Sequence, residues 1–303
     1  MRVTTPKTTA IPRIARSSSP RSMGGMYFPF RMSAFRSPGR VGLALVSLTM
    51  LAACHRGVNN YIGVPGPRFA GPPEPSAAPP ADSALRLVTW NVQWGRQPEA
   101  AAELISSHER LRTPDILLLQ EMNERAVAII AQRLGMGYVY YPATVHPRVR
   151  HHVGNAILSR WPITDDRKLL LPHLGWFGGT GRAAVVATVS VGERRLRVYS
   201  LHLATAFEIG HGGIEDQLRT IIRDAAESPD PVVIGGDFNS TRVGGLLLDA
   251  GYDWITQRIG RTAWILPVDH LFVRGIDVRA TVGTVFGDNL PSDHRPVWAE
   301  MLP

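Results

Sequence analysis

Six places in this chain set an Asn, Asp, Glu or His at the end of an apolar run. Trp90 is followed by Asn91, the run through Leu119 by Gln120 and Glu121, and Tyr199-Ser200-Leu201 by His202. Val232-Val233-Ile234-Gly235-Gly236 leads to Asp237-Phe238-Asn239, Val268 to Asp269-His270, and Pro291-Ser292 to Asp293-His294. One such residue is a turn former or a helix cap. Six of them, drawn from so small a set of polar types, predict strand ends converging on one site, because loop-borne polar groups on a strand scaffold are where function concentrates. Carboxylate and amide oxygens suit Mg²⁺ or Mn²⁺, which prefer oxygen ligands. A single cysteine and the lack of a tight His-x₃-His pair argue against structural zinc.

Other residues have two readings each. Arg182 opens an apolar strand and either holds a phosphate bidentately or is a surface charge. Asn155 either contacts what the site binds or simply starts a strand. His146, Arg148, Arg150, His151 and His152 form a basic run, and no acid occurs between Glu124 and Asp165. That run is either a solvated face or a contact for an anionic substrate. His270 follows Asp269 and points the other way along its strand, which makes it structural.

These residues need elements to position them. Leu85 to Trp90 reads as a strand, and Pro98 to His108 as a helix with proline in its first turn. Asp115 to Gln120 reads as a central strand buried on both faces. Asn123 caps a helix that ends near Gly135. Further strands are predicted at 154–160, 182–191, 195–203, 231–236, 268–273, 276–284 and 296–301, with a hairpin at Gly192-Glu193 and a helix from Ile214 to Glu227. Strands outnumber helices, which predicts an α/β fold of stacked sheets flanked by helices.

Seven motifs, in order, resemble the endonuclease/exonuclease/phosphatase superfamily of DNase I-like enzymes. They are Trp90-Asn91-Val92, Gln120-Glu121, Gly154-Asn155-Ala156-Ile157-Leu158-Ser159-Arg160, Ser200-Leu201-His202, Gly236-Asp237-Phe238-Asn239, Val268-Asp269-His270 and Ser292-Asp293-His294. The resemblance implies a four-layer α/β/β/α sandwich of two stacked mixed sheets. It also implies a Mg²⁺- or Mn²⁺-dependent hydrolase that cleaves phosphodiesters or phosphomonoesters by in-line attack of water. By resemblance, Glu121 is the main metal ligand with Asn91 beside it, and Asp293 is a further metal or His-orienting residue. Asp237 orients or deprotonates the water, and Asn239 donates to phosphate or water. His294 is a base or an electrostatic stabiliser held by Asp269, and His202 is the leaving-group acid or a phosphate donor. Asn155, Arg182, Arg148 and Arg150 are the candidate substrate contacts. Two features depart from the pattern. The acid-free stretch 125–164 offers no carboxylate partner for His202, and Gln93 stands where abasic-site enzymes carry an Asp ligand. All the catalytic positions are filled, which ranks a non-catalytic ligand-binding module on the same fold second.

The formal net charge is +8, but eight of the 33 basic residues and none of the acids lie in 1–54. The remainder carries 25 of each sign and favours no partner class. Arg31, Arg36 and Arg40 precede an apolar run from Val41 to Ala53, as in a secretory signal. This run is too short to span a bilayer. It ends Leu51-Ala52-Ala53-Cys54, which resembles the lipobox of bacterial lipoproteins and makes Cys54 the expected lipidation site. A start at Met32 would leave 1–31 untranslated. Residues 55–83, with seven Pro and four Gly, read as a tether, and 84–303 as the folded domain. The expectation is an exported, membrane-anchored monomer on the periplasmic or extracellular face, acting on nucleic acid or a phospholipid headgroup. No segment of the sequence reads as lipid-inserting.

Overall fold

Uninterrupted apolar strands such as Ile116-Leu117-Leu118-Leu119 are stable only where both faces are covered. The computed structural model shows what covers them. It describes residues 60–63, 66–73, 84–277, 279–287 and 289–302. The leader 1–54, with Cys54, lies outside the described residues.

One sheet contains β1 (Phe69–Gly71), β2 (Leu85–Asn91), β3 (Ile116–Met122), β4 (Gly137–Val145), β5 (His152–Ser159), β11 (Arg279–Thr284) and β12 (Val297–Leu302), in the order β1-β4-β5-β3-β2-β12-β11. The other contains β6 (Ile163–Leu170), β7 (Ala183–Val191), β8 (Arg194–His202), β9 (Val232–Asp237) and β10 (Asp269–Arg274), in the order β10-β9-β8-β7-β6. Each sheet has one parallel pair, β2/β3 and β8/β9, and is otherwise antiparallel. Helix α1 (Pro98–Ser107) crosses from β2 to β3, and α3 (Ala206–Ala226) from β8 to β9. Helices α2 (Glu124–Leu134) and α4 (Gly244–Asp249) complete the set among the described residues.

Alternating side chains divide the interior into three layers. Leu87, Ile116, Leu118, Val198, Val233 and Leu271 pack between the sheets. Val88, Trp90, Leu117 and Leu119 face α1 and α2. Tyr199, Leu201, Val232 and Ile234 face α3 and α4. The protein is therefore a four-layer α/β/β/α sandwich. Among the described residues no helix is long and apolar enough to cross a membrane.

The structure adds elements that the sequence pattern hid. Strand β4 carries Pro142 and β6 carries Asp165 and Asp166, so neither shows a clean apolar run. Helix α3 begins at Ala206, eight residues ahead of the expected start. Thr205 and Glu208 form a capping box there, and Gly210 (φ +75°) breaks the helical path before the amphipathic part. The tether reading of 55–83 does not fit its described part. Residues 69–71 pair with β4, and Lys168 Nζ donates to the carbonyls of Tyr61 and Gly66 at 2.6 and 2.8 Å. Arg68 forms a two-pronged ion pair with Asp166, and Phe69 packs on the helix-facing core. A Pro/Gly-rich segment has no core of its own, and here it uses the edge of one sheet at β4 and the Asp166 and Lys168 side chains of β6 in the other.

Candidate active site

The carboxyl ends of both parallel pairs emerge at one edge of the sandwich. His202 ends β8 beside Asp237 at the end of β9, and Asp269 lies across from Asp237 on β10. Asn91 ends β2 in the other sheet and crosses the interface, its Nδ2 donating to Asp237 Oδ2 at 3.1 Å. The same oxygen lies 3.4 Å from His202 Nε2 and 3.7 Å from His294 Nε2. Asp237 Oδ1 accepts the Asn239 N–H at 2.9 Å, and Asn239 Nδ2 donates to the Leu203 carbonyl. Burial, reinforced by the nearby Asp269 charge, pushes the Asp237 carboxyl up to about 7.

His294 is held from both sides. Its Nδ1 lies 2.9 Å from Asp269 Oδ2, and its backbone N–H donates to Ser292 Oγ. Ser292 Oγ in turn donates to the Asn91 carbonyl at 2.6 Å, and Trp90 Nε1 donates to the His294 carbonyl. Burial disfavours the His294 cation, but the Asp269 and Asp237 charges outweigh it and raise its pKa to about 10. Asp269 Oδ1 is buried with no hydrogen-bond partner. Asp237, Asp269 and His294 each offer one ligand atom within 4.8 Å of the others, an acidic/His group that can hold a metal ion.

Glu121 sits at a bulge, where the β3/β5 register shifts between Leu119 and Met122, and it takes a left-handed φ of +55°. Its neighbour Gln120 faces the sheet interface and donates to Ser200 Oγ of the opposite sheet. The bulge turns Glu121 the other way, and its Oε1 accepts from Asn91 Nδ2 at 3.3 Å. Burial pushes the Glu121 carboxyl up, while Asn91, Arg182 and His294 draw it down. Exposed Asp293 lies close enough to raise both Glu121 and His294. Gln93, Trp94 and Asn239 also have positive φ, so strained backbone gathers at this edge.

A cleft of about 120 Å³ meets these groups at Glu121 and His202 and is lined further by Trp94, His146, Asn155 and Arg182, while Asn91, Asp237, Asp269, Asp293 and His294 lie outside its lining. Asn155 Nδ2 donates to the Ala183 carbonyl at 2.8 Å, fixing its amide in the cleft wall. Arg182 is no surface charge. Its Nη2 donates to both oxygens of Glu208 at 3.2 and 3.1 Å, and its Nη1 lies 3.2 Å from His202 Nδ1. A guanidinium can only donate, so Nδ1 is the acceptor and the His202 proton belongs on Nε2, facing Asp237. Burial and the Arg182 charge hold the His202 pKa well below its usual value. The missing carboxylate partner of His202 is thus replaced by an arginine. Glu208 and Ser292 complete the set that sequence reasoning missed as functional. The capping-box spacing of Thr205 and Glu208 was the only signal for Glu208.

The structure leaves other expected residues outside the cleft. Arg148 and Arg150 are exposed and do not line it; Arg148 lies 5.8 Å from the Trp94 ring centroid. His152 bridges Glu124 and Tyr61. His270 is buried behind the site, with Nε2 on the Pro267 carbonyl at 3.0 Å.

The profile of the Endonuclease/Exonuclease/phosphatase family matches residues 88–294. No curated protein sequence gives a significant match. Among solved structures, an endonuclease/exonuclease/phosphatase family protein from Leptotrichia buccalis superposes with TM-score 0.58 at 14% identity, covering 72% of this chain and 99% of that one. D. rerio TDP2 complexed with single-strand DNA product gives 0.56 at 20% identity, covering 72% and 99%. The human Nocturnin catalytic domain with bound sulfate gives 0.57 at 17%, covering 77% and 96%.

Proposed function

From the premise that this chain belongs to the endonuclease/exonuclease/phosphatase family, we propose that it is a divalent-metal-dependent phosphodiesterase, anchored through Cys54 to the outer face of a membrane. The observation that carries the catalytic reading is the convergence of Asn91, His202 and His294 on one oxygen of Asp237. Glu121, with Asn91 and Asp293, would hold Mg²⁺ or Mn²⁺. The fit rests on the carboxylate oxygens of Glu121 and Asp293 and on a buried Glu121 carboxyl whose charge a cation would restore; Asn91, whose Nδ2 faces Glu121 and whose Oδ1 accepts the Gln93 N–H, would offer its oxygen by turning its amide over. The bound ion supplies Lewis-acid neutralisation of phosphate oxygens. An ion held by Asp237, Asp269 and His294 would instead have to displace the proton that Asp269 and Asp237 stabilise on His294.

The chain's own groups divide the remaining work. Asp237, poised near 7, takes the proton of the attacking water at Oδ2. His294, a cation at neutral pH, faces the charge that builds on the phosphoryl oxygens, and Asp269 keeps it charged and oriented. His202 stays neutral and donates from Nε2, which supports the donor role over that of a cationic acid. Arg182 fixes that tautomer. The anchor reading is supported by the order of basic residues, apolar run, small residues and cysteine in 31–54.

The test is hydrolysis by the full chain of plasmid DNA and of a headgroup-labelled phospholipid, side by side, with Mg²⁺, Mn²⁺ or chelator and with His294→Ala as control. Metal-dependent cleavage of either, lost in the variant, is the expected result. Ligand binding with no metal dependence and no turnover would make the chain a binding module. The similarity to D. rerio TDP2 complexed with single-strand DNA product supports the nucleic-acid arm.

A further inference from the structure

Large apolar side chains stand exposed around the cleft. Trp176 and Phe177 are 67% and 71% exposed and sit on the β6–β7 connection, whose later residues Thr180, Gly181 and Arg182 line the cleft. Phe207, 79% exposed, stacks on Phe177 at 5.7 Å and precedes Glu208 of the cleft wall. Across the site, Trp264 and Ile265 are 85% and 79% exposed on the loop that leads into Asp269. Ala263 of that loop bridges directly to His294. These residues come from two loops and the first turn of α3, which is why no lipid-inserting segment shows in the sequence. Monomeric proteins seldom leave such a rim uncovered unless it contacts something.

Two observations name the contact. The first is the place of Asn60, close in sequence to Cys54. Asn60 is fixed to the same β6–β7 connection, donating to the Gly179 carbonyl at 2.6 Å and accepting from the Gly181 N–H at 2.7 Å. Only five residues separate Asn60 from Cys54. Even fully extended, that stretch reaches about 20 Å. The second is charge. The body is formally neutral, yet cations lie over two aromatics beside the rim, Trp94 of the cleft wall and Phe286, which reaches Gly260 just before the Trp264 loop. Arg96 lies 4.2 Å from the Trp94 ring centroid and Arg295 4.5 Å from that of Phe286. Tryptophan and phenylalanine backed by arginine suit the boundary between acyl chains and anionic headgroups.

We propose that the rim of the cleft docks on an anionic phospholipid bilayer through Trp176, Phe177, Phe207, Trp264 and Ile265, so that the catalytic edge faces the membrane. The choice of a bilayer rests on the reading of Cys54 as the anchor. The short reach from Cys54 then makes the substrate a phosphodiester presented at or near that surface.

All seven tryptophans lie between Trp90 and Trp298, so the leader is silent in tryptophan fluorescence. The full chain, purified from bacterial membranes, is mixed with phosphatidylcholine/phosphatidylglycerol vesicles carrying brominated or ordinary acyl chains. The expected result is bromine-dependent quenching of the wild type, with most of it lost in Trp176→Ala/Trp264→Ala. Emission that ignores bromine in vesicle-bound protein would overturn the proposal, as would quenching unchanged in the double variant. Quenching by a single-stranded oligonucleotide with none by vesicles would assign the rim to nucleic acid and overturn it too. Incorporation of labelled palmitate, compared between wild type and Cys54→Ser, reads the anchor separately. If the wild type takes up none, the anchor reading fails, and the bromine result still decides the docking. Neither readout depends on hydrolysis.

Discussion

At the scale of single residues the site is organised around one oxygen, Asp237 Oδ2, and the residues near it differ in what they can do. His294 carries charge because two carboxylates face it, and His202 is kept neutral by burial and by the arginine beside it. His294→Ala is expected to lower kcat by roughly 10²- to 10⁴-fold, the usual worth of a positioned proton-bearing group, with little change in melting temperature. Steady-state kinetics beside a thermal melt checks this, and an equal fall in both would show a merely structural loss. Arg182→Lys should lower kcat/KM by about tenfold or more, since one charge-assisted hydrogen bond is worth ~1.5–3 kcal/mol. Lysine has one nitrogen in place of the two that separately meet Glu208 and His202 Nδ1. Unchanged kinetics in Arg182→Lys would remove Arg182 from the positioning of His202.

At the scale of elements the glycines before Asp237 set how closely β8 and β9 approach. A Cβ on Gly236 (φ +151°) would stand 1.9 Å from the Leu201 carbonyl oxygen. Gly236→Ala should therefore destabilise by on the order of 3 kcal/mol or more, whereas Gly212→Ala in α3 meets open space and should stabilise by about 0.5–1 kcal/mol. Urea midpoints of the two variants test the contrast, and equal midpoints would refute it. The elements that place the site were mostly legible. The strands ending at Asn91, His202 and Asp237 have apolar runs on both faces, and Asn123 and Gly135 punctuate α2 as expected. What stayed hidden depends on partners distant in sequence. Strand β6 is held by pairing with β7 rather than by an apolar pattern of its own. The role of Arg182 depends on Glu208, which arrives from another element. The bulge at Glu121 leaves no mark in composition.

At the scale of the whole molecule, buried histidine behind the site couples stability to pH. His270 keeps a folded pKa of about 4 because burial penalises its cation. The unfolded chain, titrating near 6.5, takes up the proton first. Stability from this residue is therefore complete above about 6.5 and falls away as pH drops toward 4, by up to ~3 kcal/mol at 1.36 kcal/mol per unit. Urea unfolding at several pH values, read as the difference between wild type and His270→Gln, isolates this contribution from those of the other titrating groups. A difference that is flat from pH 7 to 4 would refute it. The order of assembly is also written into the fold. His294 and β12 follow the other described strands, yet Trp90 reaches the His294 carbonyl across 204 positions, and β12 pairs with β2 near the start of the domain. Contacts that distant close slowly. A nascent chain that has folded everything through β10 still lacks the histidine and the strand that seats it, so synthesis itself withholds the assembled site until β12 has left the ribosome.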